Sequence, residues 1–177
     1  MKHVTAEEIM IPLEEYPHLP YSFTLRQAMA ELIKTQIDVN GRSSLPRRVL
    51  VFDEESRLLG VVRRRDIMRG LEPRFAKGTT SDYPKKLFDV SFDPNLLEVL
   101  IDQGLESMRN RAEDTVEAVI QPIHVTVNHD DHILKIMHEM VAHDVSMIPV
   151  LKDDTVVGVV RSVEVFQQVA QVVLGSE

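Results

Sequence analysis

An arginine and a carboxylate stand three residues apart behind the same tripeptide at two places in the chain, in GVVRRRDIM at 60–68 and in GVVRSVEVF at 158–166. Placed at the start of a helix, Arg63 with Asp66 and Arg161 with Glu164 can do one of two things. The guanidinium adds charge-assisted bonds to an anion such as a phosphate, which the free N–H groups of a helix N-terminus already favour, or it pairs with the carboxylate beside it. An acidic residue at a helix N-terminus is also stabilising in its own right, by roughly 0.5 to 2 kcal/mol. The first stretch lies in an arginine island, Arg47, Arg48, Arg57, Arg63, Arg64, Arg65, Arg69 and Arg74, within a chain whose formal net charge is −8. Such an island is a salt-bridged, solvated face or a seat for a small anion. The acidic balance of the whole argues against nucleic acid, because affinity for a phosphate backbone needs a basic face.

Other chemistry is poorly supported. There is no cysteine, which excludes disulfides and thiolate metal sites and fits a reducing compartment. Seven glycines are spread too thinly for a phosphate-binding loop, and no nucleophile elbow or triad spacing occurs, so no enzyme is expected. Five of the seven histidines fall at 124, 129, 132, 138 and 143. Glu139 and His143 are one helical turn apart and could chelate, but His132 is too far along the helix to join them on one ion. HEMVAH at 138–143 misses the H-E-x-x-H spacing by one residue, so a solvated helix face is the preferred reading and a divalent-metal sensor an alternative.

The elements that position the two arginine–carboxylate pairs come in duplicate. VTAEEIMIP (4–12) matches DTVEAVIQP (114–122), with Thr5, Glu7 and Pro12 answering Thr115, Glu117 and Pro122. Leu25, Ala28, Met29 and Leu32 answer Ile133, Ile136, Met137 and Met140, the spacing of one buried helix face. VLVFDEESRLLGVV and IPVLKDDTVVGVV each place an acidic turn between two β-branched runs and predict a hairpin. Each copy therefore predicts a leading segment ending in proline, a strand, an amphipathic helix, a hairpin and a closing helix beginning at Asp66 or Glu164.

The first copy (1–72) carries an insertion at about 35–48 that predicts a loop, and the second occupies 113–177. The intervening 73–112 opens on a loop and holds a helix at about 94–110, with Asp93 as its cap and a stripe of Leu96, Leu97, Leu100, Ile101, Leu105 and Met108 expected to be buried against the repeats or a second subunit. No apolar run approaches the roughly 18 residues of a membrane span, and MKHVTAEEIM does not predict a leader; a soluble, cytoplasmic protein is expected.

In this order and repeated twice, the T-x-E-x-I/V-M/I-x-P segment, the helix, the Ile148-Pro149-Val150 hairpin and G-V-V-x-x-x-D/E resemble the cystathionine-β-synthase (CBS) domain, here as a tandem pair. EEYP at 14–17, PRRVLVFDE and LEPRF resemble a bacterial subgroup of small stand-alone CBS pairs. The resemblance implies an α+β fold of two pseudo-symmetric β-α-β-β-α repeats packed through their sheets, with an inserted helical linker. It also implies a homodimer, and a regulatory sensor that binds an adenosine derivative such as AMP, ADP or ATP between the repeats and signals to a partner protein. No cofactor is required.

Family roles transfer only where residues match. Asp66 keeps the ribose-binding carboxylate, which accepts both hydroxyls of a cis-diol, and Glu164 is longer by one methylene. Arg63 and Arg161 replace the phosphate-facing hydroxyl. The base would lie against Val145, Ser146, Met147, Ile148 and Pro149, with Ile123, His124 and Val125 ahead of them. Arg47 and Arg48 stand where small apolar residues are usual, and reach phosphates or seal the pocket. The competing reading is a structural, dimerising module whose clefts its own arginines fill.

Overall fold

A computed structural model describes residues 3–39, 41–73 and 94–175, with 94–100 as backbone only. The first half holds α1 (Ala6–Ile9), β1 (Ile11–Pro12), β2 (His18–Pro20), α2 (Leu25–Lys34), β3 (Ile37–Val39), β4 (Arg42–Ser44), β5 (Arg48–Phe52), β6 (Leu58–Arg63) and α3 (Arg64–Leu71). After α4 (Pro94–Arg111) the second half holds β7 (Val127–Asn128), α5 (Ile133–Ala142), β8 (Met147–Lys152), β9 (Thr155–Arg161) and α6 (Ser162–Leu174). Short 3-10 turns occupy Leu13–Glu15 and Val116–Val119. The mixed α+β architecture of two repeats matches the expectation.

Local chemistry accounts for the elements. Thr24 caps α2 reciprocally: its hydroxyl accepts the Gln27 N–H at 3.2 Å while Gln27 Oε1 accepts the Thr24 N–H at 2.9 Å. Leu25, Ala28 and Leu32 on α2, and Ile133, Ile136 and Met140 on α5, are the buried faces the periodicity predicts. In the first hairpin Asp53 Oδ1 accepts the N–H groups of Glu55 and Arg57 at 2.9 and 2.8 Å, and in the second Asp153 and Asp154 adopt left-handed φ of 49° and 60°.

The insertion departs from the sequence expectation. The insertion contains a two-stranded hairpin as well as loop, with Ile37 paired to Ser44 and Val39 to Arg42, because Ile37 has an apolar place to go and is fully buried between the sheets. The α4 stripe is not wholly covered within the chain, since Ile101 and Leu105 are exposed; Leu96, Leu97 and Leu100 lie outside the described side chains, as do Asp93, Arg74 and most of the linker loop.

The two leading segments are exchanged between the halves. β1 pairs antiparallel with β9, which makes a sheet in the order β1-β9-β8-β7, while Gln121 of the second leading segment bridges to Val61 on β6 at the edge of the β2-β5-β6 sheet. The same hydrogen bonds recur on both sides. Ile133 N–H donates to Val4 O and Leu25 N–H to Asp114 O, both at 2.9 Å; Ala6 N–H donates to Asp131 O at 2.9 Å and Val116 N–H to Phe23 O at 2.8 Å. Ala6 and Ile9 are accordingly part of the second half's core with Val127, Ile136 and Ile148, and Val116 is part of the first half's core with Leu25 and Val62. A third apolar cluster, Ile11, Tyr16, Ile37, Leu50, Val61, Met147 and Val159, joins the two sheets.

This exchange explains the glycine before each Val-Val. A Cβ on Gly60 would lie 2.3 Å from Gln121 O and 2.6 Å from an Ile120 methyl; on Gly158 it would lie 2.5 Å from Ile11 O and 3.0 Å from Met10 Sδ. The foreign leading segment passes directly over both glycines, and no side chain fits beneath it. Gly60→Ala and Gly158→Ala should each destabilise the protein by about 1 to 3 kcal/mol, the usual cost of overpacking. Urea denaturation followed by circular dichroism would show this as a lowered midpoint; an unchanged midpoint in either variant would mean the crossing is not a tight contact.

Candidate functional site

The closing helices begin two residues earlier than the sequence predicts. Arg63 and Arg161 are their N-cap residues and Asp66 and Glu164 occupy the third helical position, from which a side chain folds back over the helix start. In the first half Asp66 Oδ2 accepts the Arg63 backbone N–H at 2.9 Å and Arg63 Nε at 2.8 Å, while Oδ1 accepts Arg63 Nη2 at 2.9 Å. Arg69 Nη1 stands 3.7 Å from the same carboxylate. Burial alone would raise the Asp66 pKa. The side-chain and backbone hydrogen bonds from Arg63, with the charges of Arg63 and Arg69, outweigh it and hold the carboxyl below its usual range.

In the second half Arg161 Nε donates to Glu164 Oε2 at 3.0 Å and to Oε1 at 3.2 Å, its Nη2 also pairs with Oε1, and its Nη1 donates to Ser44 Oγ of the first half at 2.9 Å. Both carboxylates are buried, but the arginine side chains differ: Arg63 keeps 39% of its surface and Arg161 only 17%. The first guanidinium is partly open to solvent, and the second is held across the interface.

Arg48 faces Arg63 directly across β5 and β6, and its Nη2 donates to Ser146 Oγ of the other half at 2.7 Å. Burial is the main influence lowering its pKa, helped by the positive charges of Arg63 and Arg47 and opposed by Tyr16 and Asp66. Tyr16 sits beneath this group with its hydroxyl 3.2 Å from Met147 Sδ, and burial pushes the phenol up to about 12. Arg48 and Arg69 thus stand with Arg63 around one carboxylate at the first cleft, and Arg47 is exposed beside Arg48.

The second cleft is a cavity of about 240 Å³ in which Glu8, Glu15, Asp38 and Glu164 meet Ile9, Met10, Ile11, Pro12 and Val39. The residues expected around the base are divided by the exchange. Gln121 pairs on β6 beside Val61, so Ile123 follows the edge of the first half's sheet and packs into the inter-sheet cluster; His124 is exposed. Val125 and Val145 pack on the second half's core, Met147, Ile148 and Pro149 are buried in β8, and Ser146 is exposed and held by Arg48. The leading segment fronting Glu164 is 8–12. Ser44, Asp38, Val39, Glu8 and Glu15 are contributors that the sequence reading missed. The available signal was a glycine within a β-branched strand, which marks close approach by another backbone.

Among the described residues no group of three or more His, Asp or Glu side chains is arranged to hold a metal ion. His143 Nε2 lies 3.2 Å from Glu139 Oε2, and His132 serves as the N-cap of α5. No described helix is long and apolar enough to cross a membrane.

Two β-α-β-β-α repeats with exchanged leading segments, each closing on a helix that carries an N-terminal carboxylate, define a tandem pair of small α+β repeats. The CBS domain model matches residues 6–73 and 116–170, and the chain belongs to the CBS domain family. Among solved structures it is similar to the CBS domain of a CBS domain containing membrane protein from Sphaerobacter thermophilus, at 20% identity over 94% of this chain and 88% of that one, with TM-score 0.66. It is also similar to CBSX2 in complex with AMP, at 16% identity over 95% and 97% of the two chains, and to the cytosolic domain of the Mg2+ channel MgtE in complex with ATP, at 18% over 94% and 49%, both with TM-score 0.59. No curated protein matches the chain.

Because the folded-state pKa of Asp66 lies below its unfolded value, the carboxylate contributes stability above about pH 4, and that contribution is lost as pH falls through the folded pKa. Asp66→Asn should therefore cost about 1 to 3 kcal/mol at pH 7 and progressively less in acid. Paired urea titrations of wild type and variant from pH 7 downward would test this; a pH-independent difference would mean the charge on Asp66 is not what the Arg63 contacts hold.

Proposed function

We propose that the chain is a regulatory ligand-sensing module that binds an adenosine-type nucleotide in the cleft at Asp66 and passes its occupancy to a partner protein. The observation that carries this reading is a buried carboxylate fully engaged by a partly exposed arginine, with Arg48 facing that arginine across the strands and Arg69 beside the carboxylate. A nucleotide supplies replacements for both members of that pair. Its ribose diol donates to Asp66 in place of the guanidinium, and its phosphate accepts from Arg63, Arg48 and Arg47. Ligand entry is then an exchange of partners, so the buried carboxylate is never left bare. The nucleotide complexes of the similar CBSX2 and MgtE structures support the ligand class.

Occupancy regulates only if the ligand favours one arrangement of the halves over another. Freeing Arg48 from Ser146 would supply that difference, since their hydrogen bond joins the halves. In this reading the protein works in the cytoplasm as a homodimer. The outer helices support the pairing by exposing apolar residues at equivalent positions, Ile33 and Met68 in the first half and Val141 and Phe166 in the second. A second reading, a structural module whose clefts are filled by its own side chains, is favoured by Arg161, which is committed to both Glu164 and Ser44.

Thermal melting against AMP, ADP, ATP, S-adenosylmethionine and NAD separates the two. A ligand at 100 times its dissociation constant stabilises by about 2.7 kcal/mol, several degrees for a chain of this size. One adenine ligand should give that shift and Asp66→Ala should remove it; no shift with any of them would leave the structural reading. Sedimentation of Phe166→Asp should show a monomer where wild type is a dimer, and an unchanged dimer would place the interface elsewhere.

A further inference from the structure

We propose that the β3–β4 hairpin closes the second cleft, so that the chain takes one anionic nucleotide, at Asp66, instead of one in each half. The ligand in this statement rests on the nucleotide reading above; the closure does not. The hairpin belongs to the insertion that only the first half carries, and it is anchored from below by Ile37, which is buried in the inter-sheet cluster. From that anchor Asp38 and Val39 reach the cavity at Glu164, and Ser44 accepts the bond from Arg161. A hairpin of the first half thus covers the site built by the second.

Size and sign agree on what this covering excludes. The remaining cavity is about 240 Å³, below the roughly 300 to 1,000 Å³ of clefts that hold drug-sized ligands. Its lining includes the carboxylates of Glu8, Glu15, Asp38 and Glu164 and no cationic side chain, and the neighbouring Arg161 is turned onto Glu164 and Ser44. Glu8, Glu15 and Asp38 are exposed and Glu164 is buried, so a phosphate placed there would meet like charge from four carboxylates, one of them shielded from solvent. The first cleft has the opposite balance. Arg48 and Arg63 face one another across adjacent strands, an arrangement that disfavours the strand pair unless an anion lies between them, and Asp66 answers only part of that charge.

The absence of native cysteine makes accessibility a clean test. Met10→Cys places a thiol on the second cleft, and Ile120→Cys places one at the matching position of the other leading segment. Each is labelled with fluorescein maleimide in the full chain and in a variant whose residues 38–43 are replaced by Gly-Gly. Ile37 and Ser44 face each other across the hairpin, a separation that a two-residue loop spans. Shortening should raise the labelling rate of the Met10→Cys thiol about tenfold and leave that of Ile120→Cys unchanged, as expected for removal of a local barrier. Equal rates for Met10→Cys in both backgrounds would overturn the closure. If the shortened chain does not fold, the double variant Asp38→Ala with Val39→Ala takes its place, with the same expected direction and the same contrary result.

Calorimetric titration with ADP reads the stoichiometry. The expected result is about one site per chain, lost in Arg63→Gln with Asp66→Asn and retained in Arg161→Gln with Glu164→Gln. Two sites per chain, or loss only in the second pair of substitutions, would overturn the assignment to the first cleft. No ADP heat would remove the nucleotide reading and the one-nucleotide half of the proposal with it, while the labelling rates decide the closure separately.

Discussion

The two halves of this molecule are held in register by backbone passing over backbone. Each leading segment lies across a glycine of the other half's second hairpin strand, so close that a Cβ added there would stand 2.3 Å from a carbonyl oxygen at Gly60 and 2.5 Å from one at Gly158. The contact tolerates almost no displacement, because interiors at this density cannot absorb a methyl group without moving their neighbours. From it follow the edge of each sheet, the membership of each apolar core, and the composition of each cleft. Met10 to Pro12 face Glu164 because β1 is tied to β9, and Gln121 to Ile123 run beside β6 for the matching reason.

Within that frame the two arginine–carboxylate pairs are similar in plan and different in consequence. Buried ion pairs add little net stability, because the attraction between the groups is largely offset by their loss of water. What they contribute is a fixed geometry and a strong penalty for removing one member alone. At Asp66 the pair is closed locally, by the side chain and backbone N–H of one residue, and its guanidinium keeps contact with solvent. At Glu164 the longer side chain makes no such backbone bond among the described contacts, and Arg161 extends instead to Ser44 in the other half. One methylene and one inserted hairpin thus turn a locally closed pair into a tie between the halves.

The repeat, the amphipathic helices and the acidic hairpins were all legible in the sequence, since each follows from periodicity or turn chemistry that acts over a few residues. The family, too, could be recognised from the order of those elements. Three features were not legible. The exchange of leading segments leaves the hydrophobic pattern unchanged, since Ala6 and Ile9 are apolar whichever half buries them. The hairpin in the insertion depends on a tertiary pocket for Ile37, which no local signal in TQIDVNGRSS announces. The helices start at Arg64 and Ser162 because a carboxylate at the third position reaches back toward the cap, although arginine is not a residue type that marks a helix cap in sequence.

The exchange also has a bearing on how the chain is made. Ala6 and Ile9 belong to a core whose other members run from Val127 to Val165. At the usual rate of roughly 5 to 20 residues per second, the ribosome delivers that far half about ten to thirty seconds after the first segment has emerged. Through that interval the nascent first half lacks Val116, and its own leading segment has no strand to join. Neither repeat can therefore be completed alone during translation, and both cores are expected to close late and together, as one long-range event once the second half has emerged.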